Sequence, residues 1–204
     1  MAQSEVVVLA NSIKHGQHCV AGKCVGTGNW IRPVSNMQGG ELTHQQAKVK
    51  NPYGTFSVKP LQKARIGLAQ AAPLPHQPEN YLIDGSVWIQ NYAFDPKQIS
   101  TLLDTPVDLW GAGNRVNHTD IVSGICHIPQ SLYLVQVTNL NLYYTAGGSR
   151  RASFTYGGID YDLAATDPNF DEIVSKSLAV SSILCVSLGE EYQGYCYKLI
   201  ATIF

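Results

Sequence analysis

The chain has 204 residues, of which 45% are hydrophobic and 14% are charged, and its formal net charge at pH 7 is −1. A chain of this length buries about 70% of the surface that its unfolded form exposes, so it can build a core without disulfides or metals. The composition excludes an intrinsically disordered protein, and no apolar stretch reaches the ~18–20 residues of a membrane-spanning helix, so we expect no membrane partner.

The charge is divided unevenly along the chain. Residues 1–66 hold eight basic and two acidic side chains, a net charge of +6, whereas residues 67–204 hold six basic and thirteen acidic ones, a net charge of −7. A basic third beside an acidic remainder predicts an anionic partner for the N-terminal part. Long duplex DNA is disfavoured, because proteins that bind it are usually basic throughout the binding domain.

Short apolar segments near the N-terminus predict three β-strands, at residues 5–10, 18–24 and 29–34. The Gly-containing step at residues 25–28 joins the second and third strands as a hairpin. Residues 36–54 are expected to form a loop with one helical turn near residues 43–49, before a strand near residues 64–68. Residues 71–80 hold three prolines, which predicts an irregular segment.

The rest of the chain is predicted to contain further strands and two short helices. A strand is expected at residues 87–91, a helix opened by Asp95-Pro96 follows it, and residues 108–130 are expected to be irregular. Aromatic and β-branched content predicts six C-terminal strands, at residues 131–138, 140–144, 151–156, 159–164, 180–187 and 195–203. A second Asp-Pro pair, Asp167-Pro168, opens a helix over residues 168–177.

Short strands separated by turns predict a mainly β protein of the barrel or sandwich type. The C-terminal half, in which a helix follows four strands and precedes two more, is compatible with an OB barrel. We therefore expect two small OB-like β-barrels packed together with two short helices. The predicted domains are a basic N-terminal barrel over residues 1–95, a helical or irregular connector over 96–124 and a C-terminal barrel over 125–204.

Candidate ligand-binding side chains follow the first predicted strand, namely Asn11, Ser12, Lys14 and His15. Lys14 carries a point charge suited to phosphate. Trp30 and Arg32 are two residues apart on one strand, so they share a face on which a base could stack beside a bound phosphate, with Lys23 nearby. The alternative is that Trp30 lies in the core and Arg32 is solvated at a sheet edge.

The proline-rich segment adds His76, Gln77, Glu79 and Asn80. Glu79 only accepts hydrogen bonds, whereas Asn80 both donates and accepts, so the pair could recognise a base edge or a ribose. The alternative is a capping and turn role for Asn80 beside a solvated Glu79. Trp110, Asn114, His118 and Asp120 are weaker candidates, because Gly and Asn in that region also serve turns.

The chain lacks the common catalytic motifs GxSxG, HExxH and Walker A. An enzyme is still an alternative, with His15 as the base, Lys14 holding a phosphate and Glu79 as a second acid/base group. Cys19 and Cys24 do not have the ligand spacing of a structural zinc site, so we expect no metal and no cofactor. Five cysteines without a secretory signal pattern indicate reduced thiols and a cytoplasmic protein.

Three segments of the chain resemble the dual-OB domain family of bacterial proteins. They are VVVLANSIKHGQHCVAGK at 6–23 with NWIRPVS at 29–35, PLPHQPENYLID at 73–84, and VSLGEEYQGYCYKLIATIF at 186–204. The resemblance covers the start, middle and end of the chain. It implies two OB barrels in one chain and an association with anti-phage or other conflict systems, but it supplies no reaction.

We expect the protein to bind a short single-stranded nucleic acid or a nucleotide-like ligand at its N-terminal barrel. The predicted contacts are Asn11, Ser12, Lys14, His15, Lys23, Trp30, Arg32, His76, Glu79 and Asn80. Two alternatives are an enzyme that acts on a nucleotide or nucleic acid through His15 and Glu79, and an interaction module that recruits another protein encoded in a defence operon.

Overall fold

The computed structural model describes residues 2–14 and 16–204, and the chain divides into two compact units between Leu102 and Leu103. In its described part, the first unit contains eight strands and a 3-10 helix: β1 (Ala2–Lys14), β2 (Gln17–Cys24), β3 (Trp30–Val34), β4 (Lys48–Asn51), β5 (Gly54–Ser57), β6 (Gln62–Ala71), β7 (Asn80–Ile83), β8 (Trp88–Ala93) and the 3-10 helix Pro96–Leu102. The second unit, described in full, contains seven strands and two α-helices: β9 (Arg115–Asn117), α1 (His118–Val122), β10 (Leu132–Gln136), β11 (Thr138–Tyr144), β12 (Arg150–Tyr156), β13 (Ile159–Ala165), α2 (Phe170–Ser175), β14 (Ile183–Tyr192) and β15 (Tyr195–Ile203). No described helix is long and apolar enough to cross a membrane.

Five strands of the first unit close into a barrel in the order β1-β2-β3-β7-β6, because β6 also pairs with β1. β1 is 13 residues long, so its first half pairs with β6 while most of its length pairs with β2. A bulge between Val8 and Ala10 bends β1 between these two partners. The barrel and the high strand content confirm the predicted fold class.

A glycine is needed where β1 and β2 approach each other at this bend. Gly22 pairs with Val8, and a Cβ atom at Gly22 would lie 2.1 Å from the carbonyl oxygen of Val7. The barrel interior is apolar and includes Val6, Val8, Val20, Ile31, Ile66 and Leu68. Burial of these side chains supplies the main favourable free energy of folding for this unit.

The sheet of the first unit continues beyond the barrel through β8, β4 and β5. β8 pairs with the first half of β6, β4 runs parallel to β8, and β4 forms a hairpin with β5. The prediction of a loop over residues 36–54 is therefore wrong for β4, which forms because Val49 is fully buried in register with Trp88. The predicted helical turn is present as one turn closed by a hydrogen bond from Ala47 N to Thr43 O.

The second unit repeats the strand order of the first. β10 and β11 are separated only by Val137 and form one bent strand, which gives the order β10/β11-β12-β13-β15-β14 with β14 pairing back onto β10. The third and fifth strands run parallel in both units, as β3 with β7 and β13 with β15. α2 lies between the third and fourth strands, and its fully buried Phe170 packs in the core with Ile173 and Val174 against it.

Two local differences from prediction concern short elements. The helix opened by Asp95-Pro96 is a 3-10 helix, with Lys97 N donating to Asp95 Oδ1 at 3.0 Å. The segment 108–130, predicted to be irregular, contains β9, which pairs with β15, and α1. These elements have three and five residues, which is too short for hydrophobic periodicity to reveal them.

Candidate functional site

Arg32 and Glu79, both predicted as ligand contacts, meet in a buried ion pair. Arg32 Nε lies 3.3 Å from Glu79 Oε1, and the two side chains are 10% and 6% exposed. They meet because β3 and β7 run parallel with Arg32 in register with Asn80, and the backbone Arg32 N donates to Glu79 O. Arg32 is therefore buried. The sequence had suggested a solvent-accessible Arg32, either as a ligand contact or as a solvated residue at a sheet edge. The pair fastens the proline-rich loop to β3.

Other residues of the proline-rich loop are also buried. Asn80 has no exposed surface, and its Nδ2 donates to Gln77 Oε1 at 3.2 Å. Gly39 passes so close that a Cβ there would lie 2.8 Å from Leu74 Cδ1. His76 is buried too. The loop is thus packed against its surroundings and hydrogen-bonded, and a ligand-binding role for His76, Glu79 and Asn80 stays a prediction.

Lys23 and Trp30 are register partners on β2 and β3, so their side chains share a face of the sheet. The Lys23 ammonium lies 5.4 Å from the centroid of the Trp30 ring and donates to Leu102 O at 2.7 Å. Trp30 is 4% exposed and Lys23 is 7% exposed. Trp30 is therefore buried, as in the alternative that placed it in the core.

Asn11 takes part in a polar chain at the end of β1. Its Nδ2 donates to Val58 O at 2.6 Å, and its Oδ1 accepts from His18 Nδ1 at 2.8 Å. His18 Nε2 in turn lies 3.2 Å from His44 Nδ1. Burial and the neighbouring His44 lower the pKa of His18, so its imidazole is neutral at physiological pH.

Three more predicted contacts, Ser12, Lys14 and His15, lie at or just after the end of β1, and the structure describes only part of them. Ser12 is half-buried on β1. The side chain of Lys14 and all of His15 lie outside the described residues, so the predicted pairing of His15 with Glu79 stays a prediction.

The sheet extension carries a basic face that local sequence patterns did not reveal. Lys48 and Lys50 flank the fully buried Val49 on β4, and Lys63 and Arg65 flank the fully buried Ala64 on β6. Because side chains alternate between the two faces of a strand, all four cations point away from the core.

The strand between them, β8, completes this face. Ile89 is in register with both Lys50 and Arg65, and Tyr92 is in register with Lys63. We call the set formed by Lys48, Lys50, Lys63, Arg65, Ile89 and Tyr92 the basic face. Its members come from three neighbouring strands, so cationic, aliphatic and aromatic side chains lie side by side on one surface.

An open cleft of about 430 Å³ lies on the basic face. It is lined by Lys50, Asn51, Pro52, Ile89, Gln90, Asn91 and Tyr92. The Tyr92 ring is 74% exposed, and Tyr53, beside Pro52 in the β4–β5 turn, is 90% exposed. Gln90 Oε1 accepts from Asn51 Nδ2 and from Gln62 Nε2, each at 3.1 Å, which fixes the amides in the cleft.

The electrostatics of the basic face favour an anion. In the part of the chain that the structure describes, no salt bridge joins its four cations to an acid. Glu5 is the only acidic residue on the described strands that border the face. It lies on β1 in register with Arg65, and its Oε1 accepts from Asn91 Nδ2 at 2.7 Å. The sequence signals were the +6 charge of residues 1–66 and the alternation of basic and apolar residues at 48–50 and 63–65.

On β12 and β13 of the second unit, basic and acidic side chains lie side by side. A surface cleft of about 470 Å³ on β12 and β13 includes Asp160 and Asp162. Asp162 accepts from Arg151 Nε at 3.0 Å and from Tyr143 Oη at 2.8 Å, so the cation there is already paired. The weaker candidates Trp110, Asn114, His118 and Asp120 lie in or near β9 and α1, and Trp110 Nε1 donates to Gln130 O.

A family model described as a dual OB-containing domain matches residues 4–203, nearly the whole chain. The match confirms the resemblance found in the three sequence segments. No curated protein and no solved structure matches the chain. OB barrels bind oligonucleotides and oligosaccharides in general, so the match establishes the fold, while the ligand has to be argued from side chains.

Proposed function

Because the chain belongs to the dual OB-containing domain family, we propose that its first unit binds short single-stranded nucleic acid on the basic face. The observation that carries this proposal is the placement of four cations without salt bridges beside an exposed tyrosine and an open cleft. Single strands are bound by the same combination of cations that follow the backbone and aromatic rings on which bases stack.

Each part of the basic face has a role in this proposal. Lys48, Lys50, Lys63 and Arg65 neutralise phosphates. Tyr92 stacks on a base, and Ile89 contacts an adjacent base. Asn51 Nδ2 and Gln62 Nε2 hold the Gln90 amide in the cleft, and its Nε2 group donates to a base edge. Four cations contact few phosphates, which favours a short single strand over a long duplex.

The proposal is tested by fluorescence anisotropy with labelled single-stranded DNA and RNA of about 12 nucleotides, a length within the range that one OB barrel covers. For four phosphate contacts on a single strand, the slope of log K against log salt concentration is expected to be about −3. The Lys50→Ala/Arg65→Ala variant should make this slope shallower by about 1.4. Its control is Lys176→Ala, which removes a cation paired with Glu172 in the second unit.

Stacking is tested separately from charge. Tyr92→Ala should weaken binding by about 1–3 kcal/mol, roughly fivefold to a hundredfold, and leave the salt slope unchanged. Tyr192→Ala is the matched control, because Tyr192 is a similarly exposed tyrosine of the second unit. Equal effects of the two tyrosine variants, or of the charge variant and its control, would contradict the proposal.

Three earlier hypotheses stay predictions beside this proposal. Contacts at Asn11, Lys23, Trp30 and Arg32 would require a ligand to reach side chains that are buried. Catalysis would be detected as turnover in a panel of nucleotides that His15→Ala abolishes. A role in a bacterial conflict system, with a protein partner from the same operon, follows from the resemblance alone and would be detected by co-purification.

A further inference from the structure

A second cleft, of about 330 Å³, lies in the first unit away from the basic face. One wall is the turn between β2 and β3, where Cys24 N donates to Asn29 O and Asn29 N donates to Thr27 Oγ1. The opposite wall is formed by β6 at Ala69 and Gln70 and by Tyr81 of β7. We call this space the barrel cleft. Its volume is within the range of sites that hold small molecules.

An irregularity in β6 lies in the wall of the barrel cleft. The register between β6 and β7 shifts between Leu68 and Gln70, which leaves Ala69 as an extra residue. Such bulges bend a strand and redirect the side chains that follow, and they are common beside binding sites. Gln70, which follows the bulge, is exposed at the edge of the cleft, and its Nε2 donates to Met37 Sδ at 3.1 Å.

The lining of the barrel cleft is polar but uncharged. Tyr81 supplies aromatic surface, Asn29 and Gln70 supply amides, and Thr27 supplies a hydroxyl, whereas the described lining includes no charged side chain. Amides both donate and accept hydrogen bonds, as the edges of nucleobases do. A charged group would lose hydration here without gaining a counter-charge, so the lining selects against it.

We infer that the barrel cleft is a second binding site, which takes an uncharged nucleobase or nucleoside. The flat ring lies between the β2–β3 turn and the β6 bulge, with its face against Tyr81 and its edge towards Asn29 and Gln70. A monosaccharide, the other common ligand of OB barrels, offers hydroxyls rather than a flat edge of alternating donors and acceptors. This inference does not depend on the basic face, because the ligand carries no phosphate.

Cys24 lines the barrel cleft and provides a direct readout of its occupancy. Burial opposes ionisation of the Cys24 thiol, but hydrogen bonds with Thr27 and Gly26 outweigh this effect and lower its pKa. Thiolates are the form that alkylating reagents attack. Trypsin cleavage after Lys23 places Cys19 and Cys24 on different peptides, so mass spectrometry can follow Cys24 alone.

The test measures the rate of Cys24 alkylation by iodoacetamide with each of the four ribonucleosides, and with glucose as the saccharide probe. A nucleoside at about ten times its Kd leaves about a tenth of the cleft empty, so Cys24 alkylation should slow about tenfold. Cys126, which is partly buried in the second unit, is the internal control and should react at an unchanged rate.

Variants locate the effect and separate it from the proposed function. Gln70→Ala should weaken protection by at least several-fold, whereas Gln45→Ala, which changes an exposed glutamine outside the cleft, should not. Protection should persist at high salt and in the Lys50→Ala/Arg65→Ala variant. The inference is overturned if no nucleoside slows Cys24 alkylation, if Cys126 slows equally, if glucose alone protects, or if both glutamine variants behave alike.

Discussion

The buried ion pair between Arg32 and Glu79 should contribute far more to stability than the exposed pair between Lys176 and Glu172. Glu79→Gln keeps the shape of the side chain but removes the carboxylate charge that faces the buried Arg32 guanidinium. Removing one partner of a buried ion pair costs about 3–5 kcal/mol of unfolding free energy, because the remaining charge stays out of water. The Arg32 and Glu79 side chains are only 10% and 6% exposed, so this pair is buried.

Glu172→Gln is the matched control for this change. Glu172 and Lys176 form an exposed pair at 2.8 Å, with side chains 55% and 63% exposed, so its loss should cost less than about 1 kcal/mol. Urea unfolding, followed by far-UV circular dichroism, measures both variants against the unsubstituted chain. A double-mutant cycle with Arg32→Met isolates the coupling between Arg32 and Glu79 from their other contacts.

The outcome decides what holds the proline-rich loop. A cost of about 3 kcal/mol or more for Glu79→Gln, with a large coupling energy to Arg32, would show that the pair fastens this loop to β3. If Glu79→Gln and Glu172→Gln cost the same, the pair is not electrostatically buried, and the structural role assigned to Glu79 is wrong.

Three further predictions concern the barrels themselves. Burial lowers the pKa of Lys198 to about 8 from 10.5, and its ammonium donates to the carbonyls of Gly111, Ala112 and Gly113. Between about pH 8 and pH 10.5, the unfolded chain therefore binds more protons than the folded chain. The free energy of unfolding, compared with that of the Lys198→Met variant, should rise with pH across this window and stay flat below it. Gly22→Ala should unfold the first unit, because a Cβ atom 2.1 Å from Val7 O cannot be accommodated, as thermal unfolding will show. His44→Ala should raise the pKa of His18 part of the way towards its ordinary value, measured by NMR titration, because burial, the larger cause of the lowering, remains.

Much of the second unit could be predicted from its sequence because its strands are long and alternate regularly. β12 and β13, for example, follow the pattern of buried and exposed residues expected of a half-buried strand. β4 and β5 could not be found in this way, since each has four residues and β4 contains one buried apolar side chain. Short strands of this kind form only because a neighbouring strand is already in place.

The candidate site shows the limit of local patterns more clearly. Spacing correctly placed Trp30 and Arg32 on one strand, but it could not tell whether the shared face is exposed. That depends on residues such as Glu79, 47 positions away, which meets Arg32 only through the parallel pairing of β3 and β7. The basic face was hidden for a similar reason, since its cations come from β4 and β6, which are brought together by β8.

The two barrels share a strand order but use their cations differently. In the second unit, Arg150 contacts Asp171 and Arg151 contacts Asp162, so these guanidinium groups are neutralised within the barrel. In the first unit, Lys50 and Arg65 form no salt bridge with any described residue. A polyanion gains affinity by releasing counterions from its phosphates, and only cations that are not already paired can replace those counterions. Affinity for phosphates should therefore reside in the first unit, although both units have the fold that commonly binds nucleic acid.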